Sequence, residues 1–169
     1  IAKRAKAFKM NISSLVRNID KYKSNKYIKF ISIENIKKEI NKFDYLIIAC
    51  PLNDETKNLI NFNLMKNMNK NSVIINIARG PIINEADLYK VLKNKIIRAA
   101  VIDVWYNYPK DSIAKKLYPS KYPLHKLDNI TFSPHSSAWS SQLWDRRFKF
   151  VCENLENLYN KKRIKNLVN

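Results

Sequence analysis

Hydrophobic and polar positions along the chain switch between two periods. Lys26 to Ser32 (KYIKFIS) alternates residue by residue, as a half-buried strand does, and Asn11 to Arg17 (NISSLVR) predicts a shorter strand ahead of it. Residues 1–9 have the pattern of a helix end. Ile33, Ile36 and Ile40 recur at helical spacing and predict one apolar helix face over residues 33–42. Tyr45 to Cys50 is an unbroken apolar run stopped by Pro51, which predicts a strand buried on both faces. The second half repeats the alternation. Residues 58–68 are helical in pattern, and Ser72 to Ala78 (SVIINIA) predicts a buried strand ending at Arg79-Gly80-Pro81. Asn84 caps a helix running to Leu92, with Asp87 in its first turn. Arg98 to Val104 (RAAVIDV) is a further buried strand. A long polar connection leads to Asp128, a last strand spans Asn129 to Ser133, and a long helix spans Trp139 to Lys161. Strands alternating with helices across short turns predict an α/β fold built on a doubly wound parallel sheet.

Composition narrows the class. At 169 residues and 46% hydrophobic, the chain can pack one domain's core, which excludes a disordered protein. No apolar run reaches the ~18 residues of a membrane span. The first eight residues (IAKRAKAF) lack the apolar core of a signal peptide, and with no initiator Met the chain is expected to start in mid-sequence. Cys50 and Cys152 are too few for a disulfide framework or metal site, and are expected to be reduced, buried and small-hydrophobe-like in a cytoplasmic protein. A formal charge of +18 raises the question of nucleic acid. The lysines, however, are spread along the chain among Asn and Ile instead of forming one stripe with interleaved aromatics. A basic nucleic-acid-binding domain is kept only as the most remote reading.

In doubly wound sheets, ligands bind outside the carboxyl ends of the strands. That edge collects Pro51 to Thr56, Arg79-Gly80, Asp103 and His135. Each has an ordinary reading beside the functional one. Gly80, the only glycine, could serve a turn needing positive φ, and a strand-end Arg is commonly a surface charge. Arg79 is nevertheless the residue type that holds a carboxylate through two parallel hydrogen bonds. Pro134 fixes the chain direction ahead of His135, which favours a positioned role. Asp103 at a strand end is expected to have a partner. His125 lies in the irregular connection and is read as structural; Trp139 and Trp144 are expected to pack the start of the long helix.

Four ordered segments carry a resemblance over nearly the whole chain. Ala49-Cys50-Pro51-Leu52-Asn53-Asp54-Glu55-Thr56, Asn76-Ile77-Ala78-Arg79-Gly80, Ile102-Asp103-Val104-Trp105 and Ser133-Pro134-His135 resemble the D-isomer-specific 2-hydroxyacid dehydrogenases. The resemblance implies a Rossmann-like nucleotide-binding domain and an oxidoreductase that moves a hydride between a nicotinamide cofactor and a small 2-hydroxy or 2-oxo acid. It implies that Arg79 binds the substrate carboxylate and carbonyl, that His135 is the acid-base residue, and that Asp103 holds the nicotinamide carboxamide. Pro51, Leu52, Glu55 and Thr56 would lie beside the adenosine half, Ile77 and Ser137 near the nicotinamide and ribose. A homodimer in the full-length enzyme and no membrane partner are also implied. The family includes nuclear corepressors, so a catalytically weak, cofactor-sensing module is the alternative.

Two departures bear on function. Members usually carry a Glu just before the Pro that follows the Asp-Val motif, where it supports the catalytic His; here that place is Tyr108. A neutral phenol can orient an imidazole but offers no negative charge. Formate dehydrogenases also have a non-acidic residue there and a Trp like Trp105. At the end of the second Rossmann strand, NAD-specific members carry an acidic residue for the ribose 2′-hydroxyl. That place falls near Val16, followed by Arg17, so the cofactor is NAD or NADP with a lean toward NADP. The first strand, the glycine-rich phosphate loop and the N-terminal substrate domain are expected to be missing. Residues 1–138 then form a partial dinucleotide-binding domain, and 139–169 a long helix and tail that would return to the absent domain. The tail from Lys165 to Asn169 reads as a natural chain end, and strands within 11–50 are expected not to join those within 72–133.

Overall fold

The computed structural model describes residues 1–22, 26–109 and 117–166. The middle of the polar connection and the last three residues of the tail lie outside them. The chain divides into two compact units, 1–134 and 135–169. The first begins with helix α1 (Ala2–Ala7), followed by strands β1 (Ser13–Val16) and β2 (Lys29–Ser32). A short helical stretch centred on α2 (Ile36–Glu39) leads to β3 (Tyr45–Ile48). Next come α3 (Phe62–Met65), β4 (Val73–Asn76), α4 (Glu85–Lys93), β5 (Ala99–Ile102) and β6 (Ile130–Phe132). The second unit holds α5 (Leu143–Tyr159).

All strand pairs are parallel, in two sheets ordered β2-β1 and β3-β4-β5-β6. Among the described residues, β1 and β3 each have one edge without a ladder partner, and both edges line one groove of about 290 Å³. Apolar side chains floor it, including Ala5, Ile12, Ile31, Ile40 and Leu46. The break therefore falls between β1 and β3. The expectation that strands within 11–50 stay apart from those after 72 is corrected for β3, which pairs with β4 from Tyr45↔Val73 to Ile48↔Asn76. In the order 3-2-1-4-5-6 the first strand lies between the second and the fourth, while the fourth and fifth are neighbours, as β3 and β4 are here.

The core lies on one face of the larger sheet. Ile48, Ile74, Ala100 and Ile102 pack there against Leu64 and Met65 of α3 and Leu88, Val91 and Leu92 of α4. The opposite face is open: Tyr45 is 50% exposed and Val101 38%. Strands expected to be buried on both faces thus alternate in burial, because an apolar run reports the chain's preference and not which layer covers it. The α3 region also differs from its predicted extent. Asn58 has φ 53°, Ile60 bridges to Ile83, and the Asn61 side chain accepts from the Leu64 N–H, so the helix starts only at Phe62. Asn84 caps α4 as expected, its side chain accepting from the Asp87 N–H at 3.1 Å. Asp87 in turn accepts from the Phe62 N–H at 2.9 Å, so one carboxylate ties the starts of both helices.

In the second unit, Trp139 and Trp144 are 73% and 56% exposed, where packing was expected. Cys152 is likewise exposed and Cys50 half-buried. The tail folds back on α5, with the Lys165 ammonium 2.9 Å from Glu153 and the Lys165 N–H donating to Asn154 Oδ1 at 3.0 Å. Among the described residues no helix is long and apolar enough to cross a membrane.

Candidate active site

The carboxyl ends of β3 to β6 are cross-tied where the predicted residues emerge. The Asp103 N–H donates to the Asn76 carbonyl at 3.0 Å, and the Ser133 N–H donates to the Ile102 carbonyl at 3.0 Å. Asn76 is buried on the packed face among Ile side chains, where an unbonded amide would be costly. Its amide nitrogen donates to the Arg79 carbonyl at 2.9 Å and its oxygen accepts from the Ala78 N–H at 3.1 Å. One buried side chain therefore fixes the turn that presents Arg79. Its sequence signal is a polar residue at an inward position of SVIINIA.

Arg79 is extended (φ −148°, ψ 142°) and exposed, and its guanidinium donates to the Ala78 carbonyl at 2.6 Å. Gly80 is buried and its φ is not positive. A turn needing left-handed backbone is thus not its role. A Cβ there would collide with the backbone carbonyl of Trp105 and come within 3.1 Å of the Tyr106 nitrogen, so the position needs a missing side chain for close approach. Gly80→Ala is expected to cost about 1–3 kcal/mol of stability, because the obstacle is backbone that cannot swing aside. A urea midpoint equal to wild type would show that the loop yields.

Asp103, 4% exposed, accepts a short hydrogen bond from the Ser133 hydroxyl, which supplies the expected partner. The next turn is built on aromatic anchors. The Trp105 N–H donates to the Tyr108 hydroxyl oxygen at 2.9 Å, and the Trp105 indole N–H donates to the Ser133 carbonyl at 3.0 Å. The Tyr106 hydroxyl donates to the Ile83 carbonyl at 3.1 Å; burial, with the nearby Glu85 charge, pushes this phenol above its usual range.

Pro51 to Thr56 form a self-bonded turn. The Thr56 hydroxyl donates to the Pro51 carbonyl and accepts from the Asn53 N–H, both at 2.8 Å, with Leu52 and Glu55 facing outward. Glu55 pairs with Arg17 at 2.7 Å, bringing the carboxyl ends of β1 and β3 to one side of the groove. Ile77 is exposed just past β4, and its N–H donates to the Ile48 carbonyl at 3.4 Å. His125 is exposed and stacks on Tyr118 at 5.0 Å. His135 and Ser137 belong to the second unit and are exposed; His135 has φ 58°, an uncommon backbone for a residue other than glycine. Among the described residues no cluster of His, Cys, Asp or Glu could hold a metal.

The donor set suits a dinucleotide. A fixed, buried carboxylate such as Asp103 can accept from a carboxamide, and a strand-end guanidinium such as Arg17 can meet a ribose hydroxyl or phosphate.

Comparison with known proteins identifies the family. Residues 1–137 match the model of the D-isomer specific 2-hydroxyacid dehydrogenase NAD binding domain. The chain is 31% identical to D-3-phosphoglycerate dehydrogenase of Methanocaldococcus jannaschii, covering 100% of this chain and 30% of that protein. It is 32% identical to the glyoxylate reductase of Aeropyrum pernix, covering 100% of this chain and 48% of that protein. Among solved structures it superposes on an acyclic imino acid reductase in complex with NADPH and D-Arg, with a TM-score of 0.79 and 27% identity over 99% of this chain and 49% of that one. The chain thus spans half or less of the length of these relatives. It belongs to the D-isomer-specific 2-hydroxyacid dehydrogenase family, as an NAD-binding domain of that family.

Proposed function

We propose that this chain is the nucleotide-binding half of a longer dehydrogenase that reduces a small 2-oxo acid to its 2-hydroxy acid, working as a homodimer. The observation that carries the reading is the cross-tied edge itself, with Asn76 holding the Arg79 turn and Ser133 holding Asp103. The apolar stripe of α5, with Trp144, Phe148, Val151 and Leu155 all exposed, supports a further domain that residues 139–169 would meet. Arg79 would grip the substrate carboxylate with its planar fork and orient the carbonyl. Asp103 would accept from the carboxamide, Ile77 and Ser137 would border the nicotinamide and ribose, and Pro51, Leu52, Glu55 and Thr56 would border the adenosine. The cofactor, when bound, supplies the hydride to the carbonyl carbon. His135 would give its imidazolium proton to the carbonyl oxygen as the C–O double bond becomes single. Its left-handed backbone is the kind of constraint found where a side chain must be aimed.

The test is oxidation of NADH and NADPH by the full-length enzyme against a panel of 2-oxo acids, glyoxylate included. Turnover supports the reading. Micromolar cofactor binding without turnover on any acid supports the second reading, a cofactor-sensing module, which the neutral Tyr108 favours.

Arg17 supports NADP over NAD as the preferred cofactor. Its pair with Glu55 is exposed on both sides, 59% and 66%, so it is worth about 0–1 kcal/mol and would give way to a 2′-phosphate. Glu55→Gln removes that competitor and is expected to shift the ratio of dissociation constants toward NADPH by up to about fivefold. An unchanged ratio would remove Arg17 from the 2′ position.

A further inference from the structure

Trp105 meets three parts of the strand-end edge: the Gly80 turn, the turn that follows β5 and the end of β6. Its backbone carbonyl is the surface on which Gly80 rests, directly after Arg79. Its N–H donates to the Tyr108 hydroxyl at 2.9 Å, closing the turn that follows β5. Its indole N–H donates to the Ser133 carbonyl at 3.0 Å, and Ser133 donates its hydroxyl to Asp103. Trp105 is 8% exposed, and its ring meets Phe132 edge-on at 5.5 Å, with 76° between the planes. A Phe would keep an aromatic ring against Phe132 but lose the indole N–H. The N–H is the part of the side chain that reaches the neighbouring strand end.

We propose that Trp105 is a positioning residue: its indole N–H holds the Ser133 peptide so that the Ser133 hydroxyl keeps the Asp103 carboxylate in one orientation, while its carbonyl sets the height of the Arg79-Gly80 turn. This rests on the reading of Arg79 as substrate clamp and Asp103 as carboxamide acceptor. Trp105 touches neither substrate nor cofactor; it acts through Ser133 and Gly80. A bonded carbonyl and hydroxyl on one residue make Ser133 a two-ended link between β5 and β6, and the indole closes the link from the far side. Loss of the indole bond leaves the Ser133 peptide held on the β5 side by its N–H to the Ile102 carbonyl, which loosens the aim of the hydroxyl at Asp103. A shift of tenths of an ångström at the carboxamide acceptor misaims the hydride donor more than it weakens binding.

The experiment uses the full-length enzyme with Trp105→Phe, Ser133→Ala and the double variant. Trp105→Phe is expected to lower kcat about tenfold, with KM for the oxo acid within about twofold of wild type. Ser133→Ala, which removes only a hydroxyl, is expected to give a similar kcat loss. The double variant should be no worse than the poorer single variant, because both act through one link. Unchanged kcat in Trp105→Phe, or multiplicative losses in the double variant, would overturn the proposal. If Trp105→Phe fails to fold, Ser133→Ala decides: wild-type kcat in that variant also overturns it. A wild-type enzyme that turns over no 2-oxo acid would instead fail the underlying reading, and that result is seen before any variant is made.

Discussion

Arg79→Lys in the full-length enzyme is expected to lower kcat/KM for the 2-oxo acid by about 2–4 kcal/mol of transition-state binding, a loss of roughly 30- to 1000-fold. Lysine keeps the charge but offers one compact ammonium in place of a planar fork, so a carboxylate and a carbonyl can no longer be held together. The turn itself should survive the change. Asn76 grips the Arg79 carbonyl and the Ala78 N–H, which are backbone groups that lysine also has. What lysine loses locally is one guanidinium bond to the Ala78 carbonyl, at an exposed position. The unfolding midpoint should therefore stay close to wild type while turnover falls. Wild-type kinetics would remove Arg79 from the active site, and a large drop in the midpoint would mean that its side chain, and not Asn76, builds the turn.

The order of elements was legible because strand and helix periods differ and each segment is short. Among the described residues the predicted strands all appear, and every pair is parallel. What periodicity misread was coverage. Tyr45 to Cys50 and Arg98 to Val104 are apolar enough for burial on both faces, yet Tyr45, Ile47 and Val101 face outward. A sequence records what a strand could bury, while the covering layer is a tertiary fact. The 58–68 segment shows a second limit. Its apolar residues repeat like a helix, but Asn58 takes a left-handed backbone and Asn61 caps, both of which compete locally with the helix.

At the site, titratable and cationic residues were legible from strand ends, and their supports were not. Arg79 and Asp103 stand out as chemistry in any reading of the edge. Asn76 and Trp105 act on backbone carbonyls, which have no signature in a sequence, and the Ser133 hydroxyl acts on a carboxylate remote in the chain. Gly80 illustrates the same point from the other side. Its type is visible, but the reason for it, a carbonyl of Trp105 distant in the chain, appears only in three dimensions. Tyr108 stands where a partner for an imidazole is expected; its hydroxyl also accepts from the Trp105 N–H, a use that no spacing rule suggests.

The 169-residue chain expressed alone is expected to bind neither NADH nor NADPH at micromolar concentration and to turn over no substrate. Gly80 is its only glycine and belongs to the Arg79 turn, so the chain carries no glycine-rich loop to cradle a pyrophosphate. Between β1 and β3 two ladder edges face one apolar groove of about 290 Å³, which suits an extended strand and leaves backbone donors and acceptors without sheet partners. Open edges beside an exposed sheet face, with Tyr45 and Ile47 outward, favour self-association over a stable monomer. Arg17, just after β1, and Glu55, in the turn after β3, meet through an exposed pair too weak to hold the two sheets in register. Coexpression with the N-terminal region of a family relative, which would supply a strand between β1 and β3, should give a soluble complex that titrates with cofactor. Calorimetric titration of the chain alone and of the complex separates the outcomes. Micromolar binding by the chain alone would overturn the view that the sheet needs a further strand, and failure of the complex to bind would mean that the groove is not where that strand belongs.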